Sequence, residues 1–294
     1  MTQASEIARS LGLELVGADV AVVGAAPVSE ARAGCLVFAS RFDEALAARL
    51  NAGPQAFVLA CEAYRGTLTL PHALSPNPRL DFARAAGRFL APTPAPRIAE
   101  TAVLEEGVQL GAGVSVGHYA VIGAGTVIGD GTEVRNHVSI APGTVIGARC
   151  LLKSQSVIGE EGFGFERDED GRPIRIPHFG RVELEDEVEV GAHTVIARGT
   201  LGATRIRRGA KLDDHVFVAH NCEIGEGALV IAMAEVSGSC RVGRGAWIGP
   251  NASIRDHVAV GDGALVGIAA NVVKPVPAGA TVAGNPARPL PPRS

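Results

Sequence analysis

Aliphatic residues recur at every sixth position through most of this chain. The first run has eleven such positions without a gap, from Ile98 to Ile158, and a second run has twelve, from Ile206 to Val272. A helix repeats about every 3.6 residues and a strand every two, so a period of six fits short strands joined by tight turns. The regularity predicts stacked units that each bury an apolar side chain against their neighbours.

A second position in each unit is restricted to small or short side chains. From Leu110 on, the residue two places before the aliphatic is Ala, Val, Thr, Ser or Cys, and Gly often follows the aliphatic, as at Gly111 and Gly225. We expect the aliphatic and the small residue to point inward, and these glycines to lie at corners that need unusual backbone angles. The pattern resembles the hexapeptide repeat. That resemblance implies a left-handed parallel β-helix in which three hexads form a triangular coil of about 18 residues, stacked about 4.8 Å apart.

The composition narrows the classes of protein to which this chain can belong. The 294 residues are 47% apolar but only 4% aromatic, with 37 glycines, which argues against a helix bundle because Gly and β-branched residues disfavour helix interiors. A net charge of -4 argues against disorder and against nucleic acid as a partner. No segment has the roughly 20 apolar residues of a membrane span, and no signal core is evident, so we expect a cytoplasmic protein. The five cysteines form no CxxC pair, and we expect no metal site.

The repeat also divides the chain. Residues 1–96 lack it and read as a small α/β domain that ends in a Pro-rich linker at 91–96. The predicted helices of this domain are 5–11, 43–51 and 81–90, and its predicted strands are 13–17, 36–40 and 56–61. The repeat predicts a mainly β domain over 97–285, with an insertion loop at 160–181 and four extra residues between Ile196 and Ile206, followed by a Pro-rich tail at 286–294.

One corner of the predicted coil carries chemically useful groups. His220, in the stretch VAHNCEIG, follows the inward Val218 by two residues and should point outward. One coil further on, the backbone of Gly238 should lie directly above it, and His257 should follow two coils up and one step on. An imidazole suits a general base, and a backbone N–H above it suits the stabilisation of an oxyanion.

The same stretch closely resembles the AHN-x-x-IG motif of the UDP-3-O-(3-hydroxyacyl)glucosamine N-acyltransferases of lipid A synthesis. Further resemblance lies in 77–90, in GFGF at 162–165 with PHFGRV at 177–182, and in RGTLGAT at 198–204. The resemblance implies that His220 is the general base, that Gly238 supplies the oxyanion amide, and that His257 lies near the same cleft.

The resemblance also suggests substrate contacts. Phe38 and Phe42 fall where the family grips uridine, while Phe163 and Phe165 either cap the acyl groove or only anchor the loop. Substrate contacts are also implied at three polar residues of matching motifs, Arg198, Asp213 and Asn221. Asp213 could orient the imidazole or hold the sugar amine, and equally could satisfy a turn amide. The basic stretch 205–211 is either a solvated face or a contact for a phosphate or an acidic carrier protein.

This chain departs from the family pattern at several places. Ala197 replaces the usual Asp, His178 replaces a Gln, and the uridine segment is shortened; we also expect no counterpart of the family's C-terminal helical extension. The sequence predicts an N-acyltransferase that moves a 3-hydroxyacyl group from an acyl carrier protein thioester to the amine of a UDP-linked amino sugar. The family further implies a homotrimer with sites between neighbouring β-helices and no bound cofactor, the phosphopantetheine thioester being a co-substrate. Two alternatives stay open: a coenzyme A-dependent acyltransferase for a different nucleotide amino sugar, and a non-catalytic β-helix binding module.

Overall fold

The computed structural model describes residues 1–92 and 95–290 and divides the chain into two compact units, Met1–Pro94 and Ala95–Ser294. Part of the predicted linker, residues 93 and 94, and the end of the predicted tail, residues 291–294, lie outside the described residues. Within the described part of the tail, Arg288–Pro289 pairs as a short antiparallel strand with Thr281–Ala283.

The first unit is an α/β domain. Its main sheet has five strands in the spatial order Leu15–Val16, His72–Leu74, Phe57–Ala60, Cys35–Ala39, Gly24–Ala25. Leu15–Val16 and His72–Leu74 pair in an antiparallel manner, and the other neighbours in this sheet are parallel. A separate antiparallel pair joins Thr2–Gln3 to Ala21–Val22. The helices are Ala4–Ser10, Glu44–Ala52 and Pro78–Ala85, with short 3-10 turns at Val28–Glu30 and Glu62–Tyr64 and a π-helical turn at Ala86–Leu90.

Side-chain caps fix where two of these helices begin. Asp43 accepts a hydrogen bond from the Leu46 N–H at 2.8 Å, so the second helix starts at Glu44. The third helix starts three residues before the predicted 81, because Asn77 accepts from the Leu80 N–H and Pro78 sits in the first turn, where its missing N–H costs nothing.

The second unit is a parallel β-helix with three sheets along its length. Sheet 1 contains Ser115–Val116, Glu133–Val134, Leu151–Leu152, Glu189–Val190, Lys211–Leu212, Leu229–Val230, Trp247–Ile248, Leu265–Val266, Thr281–Ala283 and Arg288–Pro289. Sheet 2 contains Val103–Leu104, Val121–Ile122, Ser139–Ile140, Val157–Ile158, Val195–Ile196, Phe217–Val218, Glu235–Val236, Ser253–Ile254 and Asn271–Val272. Sheet 3 contains Gln109–Leu110, Val127–Ile128, Val145–Ile146, Arg181–Leu184, Ala203–Ile206, Glu223–Ile224, Arg241–Val242 and Ala259–Val260.

The register confirms that coils stack on the predicted period. Val121 pairs with Ser139 and Ile122 with Ile140, which is a step of 18 residues. From Val116 to Val272 the aliphatic of every hexad is buried, and the small residue beside it is buried in almost every coil, so the core is one continuous column. Cys222 and Cys240 stack in this column as free thiols, and their Sγ atoms donate to backbone carbonyls of the next coil.

The reason for the glycines after the aliphatics differs from the prediction. Gly111 and Gly123 do not have positive φ angles; instead, a Cβ on Gly123 would lie 2.5 Å from the Pro142 nitrogen of the next coil. These glycines are therefore needed for the close approach of stacked corners. The unusual angle belongs to a residue two places further on, which is Gly125 in one coil and Asn221 or His257 in others.

Both breaks in the repeat occur at the same corner, between sheet 2 and sheet 3. The chain leaves sheet 2 after Ile158 and returns to sheet 3 at Arg181, after an antiparallel hairpin of Phe165–Arg167 and Pro173–Arg175. One coil on, it leaves after Ile196 and returns at Ala203. The two excursions therefore lie on consecutive coils, and the corner of the third coil carries His220. Within residues 1–92 and 95–290, no helix is both long and apolar enough to cross a membrane.

Candidate active site

His220 is the first residue of the turn that joins Phe217–Val218 to Glu223–Ile224. Gly238 and Asp256 occupy the same place one and two coils further on. The Ser239 N–H donates to the His220 carbonyl at 2.9 Å, and the His257 N–H donates to the Gly238 carbonyl at 3.0 Å. The structure therefore brings His220, Gly238 and His257 to one corner, as the spacing predicts.

Asn221 fixes the orientation of the His220 ring. Its Oδ1 accepts from the Thr200 N–H at 3.0 Å, and its Nδ2 donates to the Leu201 carbonyl at 2.7 Å. The Thr200 N–H can only donate and the Leu201 carbonyl can only accept, so the side-chain amide of Asn221 has one possible orientation. The same Oδ1 lies 3.2 Å from His220 Nδ1, so in the neutral imidazole Nδ1 carries the proton and Nε2 keeps a free lone pair.

Gly238 lies close to the His220 ring. A Cβ on this residue would lie 2.7 Å from His220 Cε1 and 2.8 Å from Nε2. The corresponding turn position is Ala in several other coils, such as Ala112 and Ala232, so a side chain is compatible with the turn itself. A side chain at this position would therefore displace either the imidazole of His220 or the turn.

The Gly238 amide has no hydrogen-bond partner among the described residues. At comparable corners the amide is capped by an acidic or amide side chain 18 residues later: Asp130 caps Ala112, Asn136 caps His118, and Asp262 caps Arg244. Asp256 stands in that register above Gly238 but makes no such bond, and its carboxylate lies 4.0 Å from His257 Nε2. An N–H donor is thus left open beside the base.

His257 is the most exposed group of this corner, with 76% of its side chain accessible. It lies in the left-handed region at φ 59° and stacks two coils above Asn221 through the turn backbone. Asp213 lies elsewhere, at the corner between sheets 1 and 2. Its carboxylate accepts from the Asp214 and Ala232 amides, so within one chain it satisfies turn amides and does not orient the His220 imidazole.

Arg198 holds the root of the insertion loop. Its Nε donates to the Gly159 carbonyl at 2.5 Å and its amide donates to the Glu160 carbonyl at 3.0 Å. Arg198, in the second excursion, therefore joins that excursion to the first, and Asn221 joins the second excursion to the corner that carries His220.

His178 belongs to the site, although the sequence singled it out only as a departure from the family's Gln. Its side chain is buried and its ring centroid lies 5.6 Å from that of His220, in an edge-to-face arrangement. Its Nδ1 lies 3.0 Å from the Ile176 carbonyl. The sequence signal was the histidine within PHFG; its burial depends on how the loop folds back, which no repeat predicts.

The aromatic residues of the insertion loop form an exposed apolar surface. Phe163 is 86% exposed, its ring packs 4.8 Å from that of Phe165, and the Arg175 guanidinium lies 5.0 Å from the Phe165 ring centre. Phe163 and Phe165 line a shallow cleft of about 310 Å³ together with Glu166, Arg167 and Pro173. This surface can contact a ligand as well as anchor the hairpin.

The aromatic residues of the first unit have separate surroundings. Phe38 packs 4.9 Å from Phe82 and lines an open, mainly apolar cleft of about 600 Å³ with Ser40, Arg41 and Asp43 at its edge. Phe42 does not line this cleft; it packs 5.0 Å from Tyr64. Phe38 therefore lines the cleft, while Phe42 lies in the chain between two of its lining residues, Arg41 and Asp43, and contacts Tyr64.

The basic stretch 205–211 is largely neutralised. Arg205 pairs with Glu183, and Arg207 pairs with both Glu185 and Glu223, at 2.6–2.9 Å. The hydrogen bond from Arg207 lowers the pKa of Glu185 below its usual value. Arg205 and Arg207 are therefore paired with carboxylates of the neighbouring coils. No group of three or more His, Cys, Asp or Glu side chains in the described part of the chain could hold a metal ion.

Comparison with known proteins shows similarity to hexapeptide-repeat transferases. Residues 125–160 match the family model described as bacterial transferase hexapeptide (six repeats). The chain is 52% identical over 88 residues to the UDP-3-O-acylglucosamine N-acyltransferase of Chlorobium chlorochromatii, covering 30% of this chain and 24% of that protein. It is 50% identical over 92 residues to that of Methylococcus capsulatus, covering 31% and 26%. The matched segment thus spans only about a quarter of these curated relatives.

Solved structures share the fold. The UDP-N-acetylglucosamine O-acyltransferase of Moraxella catarrhalis matches with a TM-score of 0.61 and 26% identity, over 66% of this chain and 73% of that one. The UDP-N-acetylglucosamine acyltransferase of Campylobacter jejuni matches with a TM-score of 0.61 and 24% identity, over 66% and 74%. The predicted left-handed parallel β-helix is confirmed.

Proposed function

The chain belongs to the same family as the UDP-3-O-acylglucosamine N-acyltransferases, and from this premise we propose that it transfers an acyl group from a thioester to the amine of a UDP-linked amino sugar. The observation that carries the proposal is the His220 corner. There a base of fixed tautomer, with Nε2 unprotonated, lies beside an uncapped Gly238 amide.

The reaction follows from that geometry. The amine nitrogen attacks the thioester carbonyl carbon while His220 Nε2 takes one of its protons. Asn221 Oδ1 stabilises the resulting imidazolium through Nδ1–H. The Gly238 N–H donates to the oxygen that becomes negative in the tetrahedral intermediate. Collapse of the intermediate breaks the carbon–sulfur bond, and the imidazolium returns its proton to the leaving thiolate.

The acyl group is proposed to be a 3-hydroxyacyl chain carried on the phosphopantetheine of an acyl carrier protein. The exposed Phe163 beside Phe165 offers an apolar surface for such a chain. The cleft around Phe38, with Arg41 at its edge, is proposed to bind the nucleotide of the acceptor. Phe38 supplies an aromatic face for the base, and the Arg41 guanidinium suits a phosphate.

The proposed catalytic unit is a homotrimer. The His220 corner is a convex edge of one β-helix, and a convex edge provides only one wall of a cleft. A neighbouring β-helix would supply the second wall and additional contacts to the two substrates. Light scattering tests this point, since a stable monomer with full activity would contradict it.

Steady-state kinetics of His220→Ala test the mechanism. We expect kcat to fall by about 10²–10⁴-fold, because the general base is removed, with little change in acceptor binding. The matched control is His118→Ala, since His118 holds the same turn position at another corner and its ring forms a hydrogen bond with Thr101. Near-normal kcat for His220→Ala would refute the assignment.

A screen of acyl donors distinguishes the proposed function from its two alternatives. Acyl carrier protein thioesters and acyl-coenzyme A of equal chain length are compared on the same acceptor, with product mass as readout. Preference for the carrier protein supports the proposal, and preference for coenzyme A replaces the donor while keeping the mechanism. Acceptor binding without turnover of any thioester would instead favour a non-catalytic binding module.

A further inference from the structure

One nitrogen beside the proposed base has no partner. His178 is only 3% exposed, and its Nε2 makes no hydrogen bond among the described residues. Its Nδ1 lies 3.0 Å from the Ile176 carbonyl, which can only accept. Nδ1 therefore carries the proton, and Nε2 is a buried acceptor. Such an acceptor destabilises the protein unless a donor reaches it.

This acceptor lies at the reaction corner. A Cβ on Gly162 would lie 3.0 Å from His178 Nε2 and 3.3 Å from His220 Cδ2, so both rings border the same glycine. A Cβ on Gly164 would lie 3.0 Å from His178 Cε1. Neither glycine of GFGF places a side chain against His178, and the space left by Gly162 also borders the His220 ring.

The surroundings of this acceptor are apolar and exposed. Phe163 stands between the two glycines, and Phe179 directly follows His178. The Phe179 N–H bonds to the Thr200 carbonyl, which places it next to Leu201 of the second excursion. All three side chains are largely exposed. The corner therefore offers one buried acceptor within an apolar surface.

We propose that His178 Nε2 accepts a hydrogen bond from a hydroxyl on the acyl chain and thereby selects 3-hydroxyacyl donors over unsubstituted ones. The inference rests on the proposed function. A hydroxyl two carbons from the reacting carbonyl is close enough to that carbonyl to meet His178 while the carbonyl stands between His220 and Gly238. The remaining chain would then run over Phe163. A site that hydrogen-bonds a substrate hydroxyl discriminates strongly against the analogue that lacks it.

The test compares kcat/KM for two thioesters of equal length, one 3-hydroxyacyl and one plain acyl. We expect the wild type to prefer the hydroxylated donor by roughly tenfold or more. His178→Leu should reduce this preference to about threefold or less, and His178→Gln should restore it because the amide oxygen can accept. The preference is a ratio measured on one preparation, so a loss of folded protein lowers both rates and leaves it unchanged.

The matched control is His72→Leu. His72 is also buried, and its Nδ1 lies 2.9 Å from the Leu70 carbonyl two residues before it, but it belongs to the first unit. This variant should keep the wild-type preference. An unchanged preference in His178→Leu, or no preference in the wild type, would overturn the inference while leaving acyl transfer intact. Turnover of neither thioester by the wild type would refute the proposed function, and this inference with it.

Discussion

Replacing Gly238 with Ala should separate catalysis from folding. The new Cβ would lie 2.7 Å from His220 Cε1, about 0.8 Å inside the shortest comfortable contact of about 3.5 Å. Either the imidazole or the turn must move by roughly that amount. A displacement of about 1 Å at a reacting group costs about 10²-fold in rate, which corresponds to about 2.7 kcal/mol of activation free energy.

The fold should tolerate the same substitution. Gly238 does not have a positive φ, and Ala already occupies the corresponding turn position at Ala112 and Ala232. We expect the free energy of unfolding to change by less than about 1 kcal/mol. Kinetics and thermal unfolding are measured on the same preparation, with Gly87→Ala as the control, since a Cβ there meets no atom within 4 Å. A Gly238→Ala protein with kcat within threefold of wild type would refute the proposed geometry.

Three further predictions concern the site, pH and the cysteines. Asn221→Gly keeps the left-handed turn at φ 61° but removes the bonds to Thr200 and to the His220 ring, so kcat should fall at least about tenfold while acceptor binding persists; unchanged kcat would contradict the tautomer assignment. The hydrogen bond from Arg207 lowers the pKa of Glu185, so the ionised Glu185 contributes fully to stability above the usual pKa of 4.5, and this contribution is lost as the pH falls through the folded-state pKa. When the free energy of unfolding is measured against pH, Glu185→Gln should therefore lose less stability in acid than the wild type. Of the five cysteines only Cys61 is not buried, so a thiol reagent should label one cysteine rapidly in the native protein; fast labelling of several thiols would indicate an open core.

The period of the sequence determined most of the β-helix. A step of six places one side chain per hexad inward, and three hexads close a coil, so residues 18 apart must stack. That arithmetic was sufficient to place Gly238 over His220 and to bring His257 to the same corner. It also predicted that Cys222 and Cys240 pack inside the coil as small residues.

Outside the repeat, only the tertiary structure determined where side chains lie and what they contact. The return path of the insertion loop buried His178 against His220, because a loop without a repeat has no register that sequence spacing can supply. The tertiary structure also showed that the Asp213 carboxylate caps two turn amides and that Phe42 packs on Tyr64. The glycines after the aliphatics were visible in the sequence, but their cause was the approach of the next coil, a contact between residues far apart in the chain. The spacing of the sequence therefore determined which residues stack, and tertiary packing determined which polar atoms are left without a hydrogen-bond partner.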